Sequence, residues 1–541
     1  MLTFLHGYMP GLWEAQVNAG LVNEGDGIRF CQSKLIRPEL KFNTLAAKDS
    51  KLFNIVSELK TPFYIDRLQG GAYIDDYVFD SKLLDSYREL LGDNFWGFQM
   101  HEWLSNYRGD LNKLEDLVCA DWTVEGIEKH IRKKFPFPCL FLESMTAEEM
   151  AHYGHPTNAD ELYANMTAIY KKRIAEVGEL LPCDSYFLAY PFEFEAGASR
   201  VMPEVGAQTP DAKIQICFAR GESLARKKSF GVYYETWGGN PFSTCCYQKD
   251  EKNEWGIGES ADFPFSAAGP NGGSSRSLQK RIFLYSLFSN AEFISEEWGL
   301  CNVFNDWEDY ELSPYGEVKK EFIDLVRKYS DVGKKLAPFA AVLPADFKVL
   351  EGIRSPEIHL SYPIFGAEQK KLALIKEKIC QIFSTPTQML GSETSTLINS
   401  DMPDCVDILT DIPSALSSYD YLIDLTCDPK FAAEHSNICL AEDIPSLAKK
   451  LLPCYVEGGL HWTVNERKGG GFYLAVFNHS GVMRSVAEGE YVLPEASVTS
   501  KVSFAASEVS PRVLEGGGKL EKENGEYRLT LSGGDWCLIA F

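Results

Sequence analysis

Over about its first 300 residues the chain repeats one pattern, a short apolar run followed by a longer segment with apolar residues at three- and four-residue steps. The runs are LTFLHGY (2–8), GIRFCQS (27–33), TPFYIDRL (61–68), FWGFQMHE (95–102), SYFLAYPFEFE (185–195), AKIQICFARG (212–221), SFGVYYETWG (229–238) and AEFISEEWG (291–299). Helical patterns such as DSKLLDSYRELLG and NADELYANMTAIYKKRIAEVGELL stand between several of them. Strands that alternate with helices and are apolar nearly throughout are buried on both faces, which predicts a parallel sheet. Eight such units predict a closed (β/α)8 (TIM) barrel ringed by helices. An open doubly wound sheet would announce itself with a glycine-rich first turn, and no strand here is followed by G-x-G-x-x-G. FPFPCLFLES (135–144), ending at Glu143, is a further candidate. If it belongs to the barrel, LTFLHGY becomes a preliminary strand, while SFGVYYETWG stays seventh and AEFISEEWG eighth.

The pattern changes after the helix VKKEFIDLVRKYSDVGKKL (318–336). A second alternation, FKVLEG, KKLALIKEKICQIF, VDILT, YDYLIDLT and NICLAEDIPSLAKKLL, reads as a smaller flavodoxin-like α/β domain. Beyond about residue 455 the helical period is gone. GFYLAVFNHSGV, YVLPEASVTSKVSF and GKLEKENGEYRLTLSGGDWCLIAF alternate polar and apolar residues between turns, which predicts an antiparallel β-sandwich. The expected division is therefore a catalytic barrel at 1–340, an α/β domain at 341–452 and a β-sandwich at 453–541.

Composition narrows the partners. A formal charge of −24 repels phosphate backbones and anionic lipid, so neither nucleic acid nor a membrane is expected as a partner. The start, MLTFLHGYMPGLWEAQ, lacks the basic and apolar regions of a secretion signal, and no apolar run reaches membrane-spanning length. Fourteen cysteines without C-x-x-C spacing fit reduced thiols in the cytoplasm. His152 and His155 in HYGHPTN match no complete ligand set, and neither metal nor cofactor is expected.

In a parallel barrel, chemistry collects at the C-terminal ends of the strands. Those ends offer Asp66 and Arg67 on strand three, and His101, Glu102 and Trp103 on strand four. Strand five offers Glu193 and Glu195, and strand six Arg220 and Glu222. Strand seven offers Tyr233, Tyr234, Glu235 and Trp237, and strand eight Glu296, Glu297 and Trp298. Carboxylates, aromatics and arginine dominate, with no G-x-S-x-G nucleophile motif. That set suits glycoside hydrolysis, in which one acid protonates the leaving oxygen, another attacks the anomeric carbon, and aromatic faces stack on the sugar. A retaining enzyme needs the two carboxyls about 5–5.5 Å apart.

WGFQMHEW resembles the strand-four motif of clan A glycoside hydrolases, especially the family 42 β-galactosidases, whose W-Q-x-x-N-E strand carries the acid/base glutamate. GVYYETWGG is similarly placed to the strand that carries the clan's nucleophile. The domain order is similar to that of family 42 and also to that of the family 164 β-mannosidases. One departure is plain: His101 stands where the family has asparagine, which puts the sugar's identity in question.

The resemblance implies a retaining exo-β-glycosidase, of β-galactosidase or β-mannosidase type, acting on a carbohydrate substrate without a cofactor. Glu102 would be acid/base and Glu235 the nucleophile. Arg67, His101, Trp103, Tyr233, Tyr234, Trp237, Glu297 and Trp298 would contact substrate. It further implies a homo-oligomer, with a trimer formed through the second domain. Two alternatives stand beside it: a carbohydrate-binding barrel without turnover, and a clan relative using Glu143 as acid/base.

Overall fold

A computed structural model describes residues 2–30, 42–66, 79–102, 121–130, 147–185, 187–206, 209, 211–235, 275–296, 303–304, 310–351, 358–359, 362–363, 366–384, 396–485 and 489–541. Eight strands close into a parallel barrel: β1 (Thr3–Tyr8), β2 (Gly27–Phe30), β3 (Phe63–Ile65), β4 (Phe95–His101), β5 (Leu180–Asp184), β6 (Arg200–Gly206), β7 (Ser229–Glu235) and β8 (Phe293–Glu296). LTFLHGY is therefore a true barrel strand, since β1 pairs with both β2 and β8. The candidate at 135–144 lies outside the described residues.

Two strand assignments are corrected. SYFLAYPFEFE forms a two-residue strand, Phe187–Leu188, and then the helix Tyr190–Ala196. AKIQICFARG lies in the helix α1 (Ala212–Arg226). The fifth and sixth barrel strands are instead LLPCD and RVMPEVG, each carrying a proline, a residue that argues against a central strand. Every residue of α1 from Ala212 to Ser223 is buried, because the helix is covered on both sides. Its start, AKIQI, alternates polar and apolar residues, which in sequence has the look of a strand.

What covers the far side of α1 is a three-stranded parallel sheet of β9 (Phe339–Leu343), β10 (Val406–Thr410) and β11 (Tyr421–Asp424), with β9 in the centre. Gly221 lies flat on β10, where a Cβ would come within 2.0 Å of the Ile408 carbonyl oxygen. Arg220 is ion-paired with Asp407, and Glu222 accepts the Thr410 backbone N–H. These two residues therefore join the barrel to the second sheet and do not stand at a strand end. Beyond them lie two antiparallel sheets, one of five strands and one of four. No described helix is long and apolar enough to cross a membrane.

The barrel meets the C-terminal strands through a buried polar chain. Lys335 Nζ lies 3.0 Å from Asp404 Oδ1, and His461 Nε2 lies 2.9 Å from Asp404 Oδ2. His461 Nδ1 lies 2.8 Å from His479 Nε2, and His479 Nδ1 lies 2.7 Å from a guanidinium nitrogen of Arg281. Arg281 can only donate, so His479 Nδ1 must accept, and the tautomers follow in sequence. His479 donates from Nε2 to His461 Nδ1, and His461 donates from Nε2 to Asp404. The wire is satisfied only when both imidazoles are neutral.

Burial holds His461 down to about 4, against the pull of Asp404, and burial together with the Arg281 charge holds His479 well below the ordinary imidazole range. Because the folded values are depressed, this stability is fully present above the unfolded value of about 6.5 and is lost as pH falls toward the folded value. For His461 the loss is on the order of 2 kcal/mol by pH 5. Urea unfolding midpoints of the native protein should fall between pH 7 and pH 5. The fall should be visibly shallower in His461→Gln; equal pH slopes in the two proteins would refute the wire.

Candidate active site

Alternation along the strands sorts side chains between the barrel interior and the helices. Leu5, Tyr64, Trp96, Leu181, Cys183, Met202, Tyr233 and Phe293 form one buried cluster inside the barrel. Phe98, Val205, Tyr234 and Ile294 belong to the larger core that runs out into the helices. Stepping two residues from the inner set toward each C-terminal strand end gives Asp66, Ser185, Glu204, Glu235 and Ser295. The upper interior is thus polar and the lower interior apolar. Contacts across the lumen agree: Tyr64 Oη lies 2.8 Å from Ser295 Oγ, and Arg29 donates to Tyr233 Oη at 2.8 Å.

One glycine determines what β4 presents. Between paired positions β3 advances from Phe63 to Ile65 while β4 advances from Phe95 to Phe98, so β4 carries a bulge. Gly97 has φ +73°, and a Cβ there would come within 1.7 Å of the Glu179 carbonyl oxygen. The extra residue reverses the alternation. Trp96 faces in, Phe98 and Met100 face out, and Gln99 and His101 return to the interior, where the Gln99 amide nitrogen lies 3.4 Å from His101 Nδ1.

His101 is buried among acids. Its Nε2 lies 3.9 Å from Glu102 Oε2 and 3.8 Å from Glu204 Oε1, and its ring meets that of Tyr233 edge-on, with centroids 5.6 Å apart. Glu102 ends the strand in a left-handed conformation, φ +45°, which a side chain with a Cβ adopts at a cost. Its N–H is tied to the Cys183 carbonyl, and its Oε1 accepts the Ser185 hydroxyl at 2.8 Å. The turn brings a carboxylate that regular alternation would send outward over the barrel mouth, with its side chain still 30% exposed.

Glu235 ends β7, in register with Gly206 of β6, and is buried. Tyr233, two residues earlier, faces the interior and is held by Arg29, which also donates to the Glu296 carbonyl. Tyr234 faces the other way, toward the helices, and packs edge-on against Phe283 of the helix Arg276–Phe288. Glu296 does not face solvent: it points outward and is buried in an ion pair with Lys319, 2.6 Å. Glu195 pairs at the surface with Arg226, and Arg200 pairs with Glu179, not with Glu193 or Glu195. Arg67, Trp103, Glu143, Trp237, Glu297 and Trp298 lie outside the described residues.

Sequence reasoning missed Glu204, Arg29 and Cys183. Glu204 was hidden because its strand was not recognised. It is in register with Tyr233, one inward step below the level of Glu235. Arg29 had a visible signal, a lone cation within the apolar run GIRF. His101, Cys183 and Glu204 also bring ligand atoms within 4.8 Å of one another, the one such group found among the described residues. His152 and His155 belong to no such group; His155 stacks on Trp122.

No protein-family model matches the chain, and no curated protein matches it in sequence. Among solved structures it is similar to the catalytic module of a family 98 glycoside hydrolase from Streptococcus pneumoniae TIGR4, with 10% identity and a TM-score of 0.46, covering 100% of this chain and 98% of that one. It is similar at the same level to α-L-fucosidase isoenzyme 2 from Paenibacillus thiaminolyticus, with 10% identity and a TM-score of 0.46, covering 100% and 99%. Likenesses this distant carry no argument about chemistry, which has to come from the barrel mouth itself.

Proposed function

We propose that the protein is a retaining exo-β-glycosidase that removes terminal β-linked sugars of galactose or mannose type. Glu235 attacks the anomeric carbon while Glu102 protonates the departing oxygen; Glu102 then takes a proton from water as the glycosyl-enzyme is hydrolysed. The observation that carries this reading is the contact between the His101 and Tyr233 rings. His101 immediately precedes one acid and Tyr233 stands two residues before the other, so the two carboxylates rise from side chains that already touch across the lumen. Glu204, in register with Tyr233 and two residues short of the strand-end position of Glu235, is the rival nucleophile.

His101 is read as a sugar-hydroxyl partner, with Tyr233 and Arg29 bracing the nucleophile's side. Arg67, Trp103, Trp237, Glu297 and Trp298 are carried forward as substrate contacts. We also take 341–452 as a flavodoxin-like unit through which a homo-oligomer, a trimer, assembles, and 453–541 as a β-sandwich, with the enzyme at work in the cytoplasm. The strand Phe339–Leu343 crosses the first of these boundaries.

A panel of aryl β- and α-glycosides, followed by proton NMR of the first-formed sugar, tests the activity and its stereochemistry together. A β-glycoside should be cleaved with the β-anomer appearing first. An α-anomer first would mean inversion, and no cleavage of any member would favour a binding barrel without turnover.

A further inference from the structure

We infer that His101, Cys183 and Glu204 form a binding site for a soft divalent cation of the zinc class inside the barrel, and that filling it shuts off the hydrolysis proposed above. The inhibitory half rests on that proposal; the binding half does not. The three residues come from three consecutive strands. His101 and Cys183 are register partners, and Cys183 is level with Met202, so Glu204 is one inward step further along β6. All three are buried, and their ligand atoms lie within 4.8 Å of one another.

Metal–ligand bonds of about 2.0–2.3 Å place tetrahedral ligand atoms roughly 3.3–3.8 Å apart. The His101 Nε2 to Glu204 Oε1 pair, at 3.8 Å, already has that spacing. The other ligand atoms, all within 4.8 Å, have at most about 1 Å to close to reach it.

A second observation points the same way. Gln99 Oε1 is buried with no hydrogen-bond partner among the described residues, while the amide nitrogen of the same group lies 3.4 Å from His101 Nδ1. Turning the amide over lets Nδ1–H donate to Oε1. That fixes the neutral tautomer whose Nε2 lone pair points toward Glu204, the outer hydrogen bond that metal-binding histidines use.

Thiolate, imidazole and carboxylate together suit zinc and its neighbours, not calcium or magnesium. On binding, the Cys183 thiol gives its proton to water as sulfur bonds the metal, and no electron changes hands. The fourth position stays open, with Glu102 Oε2 3.9 Å from the same imidazole nitrogen. A cation there takes His101 from the sugar and has the Glu102 carboxylate within reach, so neither can serve the leaving group.

Titration of the metal-free protein with cobalt(II) tests the binding half. One equivalent should produce a thiolate-to-cobalt charge-transfer band in the near ultraviolet, abolished by zinc and absent from Cys183→Ser. Gln99→Leu should bind about 10- to 100-fold more weakly. A native protein with no band, or a band unchanged in Cys183→Ser, overturns the site. Aryl-glycoside hydrolysis with zinc, then with excess chelator, tests the inhibitory half: turnover should vanish and return. Binding without inhibition, or activation by zinc, overturns that half and leaves the site standing. If metal-free protein cleaves no glycoside while the cobalt band is present, it is the glycosidase reading that has failed.

Discussion

Glu235→Ala should lose turnover of aryl β-glycosides by roughly 10⁴-fold or more, the scale seen when the nucleophile of another covalent-intermediate enzyme is removed. Added azide should restore part of it. The loss is expected because no other described carboxylate on β7 faces inward: Tyr233 and Glu235 share the inner face, and Tyr234 is committed to the helix layer. Removing the side chain opens a space at the rim into which a small anion fits. The anion attacks from the face that Glu235 occupied, so the product is the α-glycosyl azide, of opposite configuration to the substrate, which proton NMR identifies. Glu204→Ala is the necessary companion. If that variant shows the anion rescue and Glu235→Ala does not, the nucleophile sits one level deeper than proposed.

The closed barrel was legible because its physical cause is periodic: eight apolar runs separated by amphipathic helices have few ways to bury both faces of every strand. What misled the reading was burial that is not periodic. The helix from Ala212 to Arg226 is enclosed between the barrel and β10, so Lys213 and Gln215 are buried along with the apolar residues beside them, and the alternation AKIQI imitates a strand. The two strands hidden behind this helix and SYFLAYPFEFE, LLPCD and RVMPEVG, carry Pro182 and Pro203, which the register nevertheless accommodates opposite Met100 and Asp184. The count of eight therefore survived two compensating substitutions, and Glu204 and Cys183 went unseen with the strands that carry them.

At the mouth, identity was legible and orientation was not. His101, Glu102, Tyr233 and Glu235 could be named from the strand ends alone, because residue type and chain position carry that information. Which way each side chain points depends on the phase of alternation. The bulge at Gly97 shifts that phase by one residue on β4 and is set by the close approach of Glu179. Without it, His101 would face the helices. Tyr233 and Tyr234 show the complementary case: β7 is regular through this stretch, so only one of two adjacent tyrosines can face the barrel interior. The ion pairs of Glu296 with Lys319 and of Arg220 with Asp407 join segments far apart in sequence, beyond what strand-end position alone reveals.

Glu102→Ala should behave differently from the nucleophile variant, and the difference is the stronger test of the mechanism. Loss of a general acid costs about 10²–10⁴-fold for glycosides with poor leaving groups. A dinitrophenyl glycoside, whose phenolate departs without a proton, should form the glycosyl-enzyme at nearly the native rate and then stall, because the base that activates water is also gone. Azide should relieve that stall, and since it attacks the covalent intermediate from the open face, it yields the β-glycosyl azide. The two variants thus give azides of opposite configuration from one substrate. The left-handed backbone at position 102 adds a control: alanine there inherits the φ +45° that Glu102 adopts, so Glu102→Gly separates backbone strain from lost chemistry. Equal kinetics in the two variants would assign the effect to the carboxyl group. Should Glu143→Ala give the leaving-group dependence while Glu102→Ala leaves it untouched, the acid belongs to the segment 135–144, and Glu102 is reduced to a support for His101.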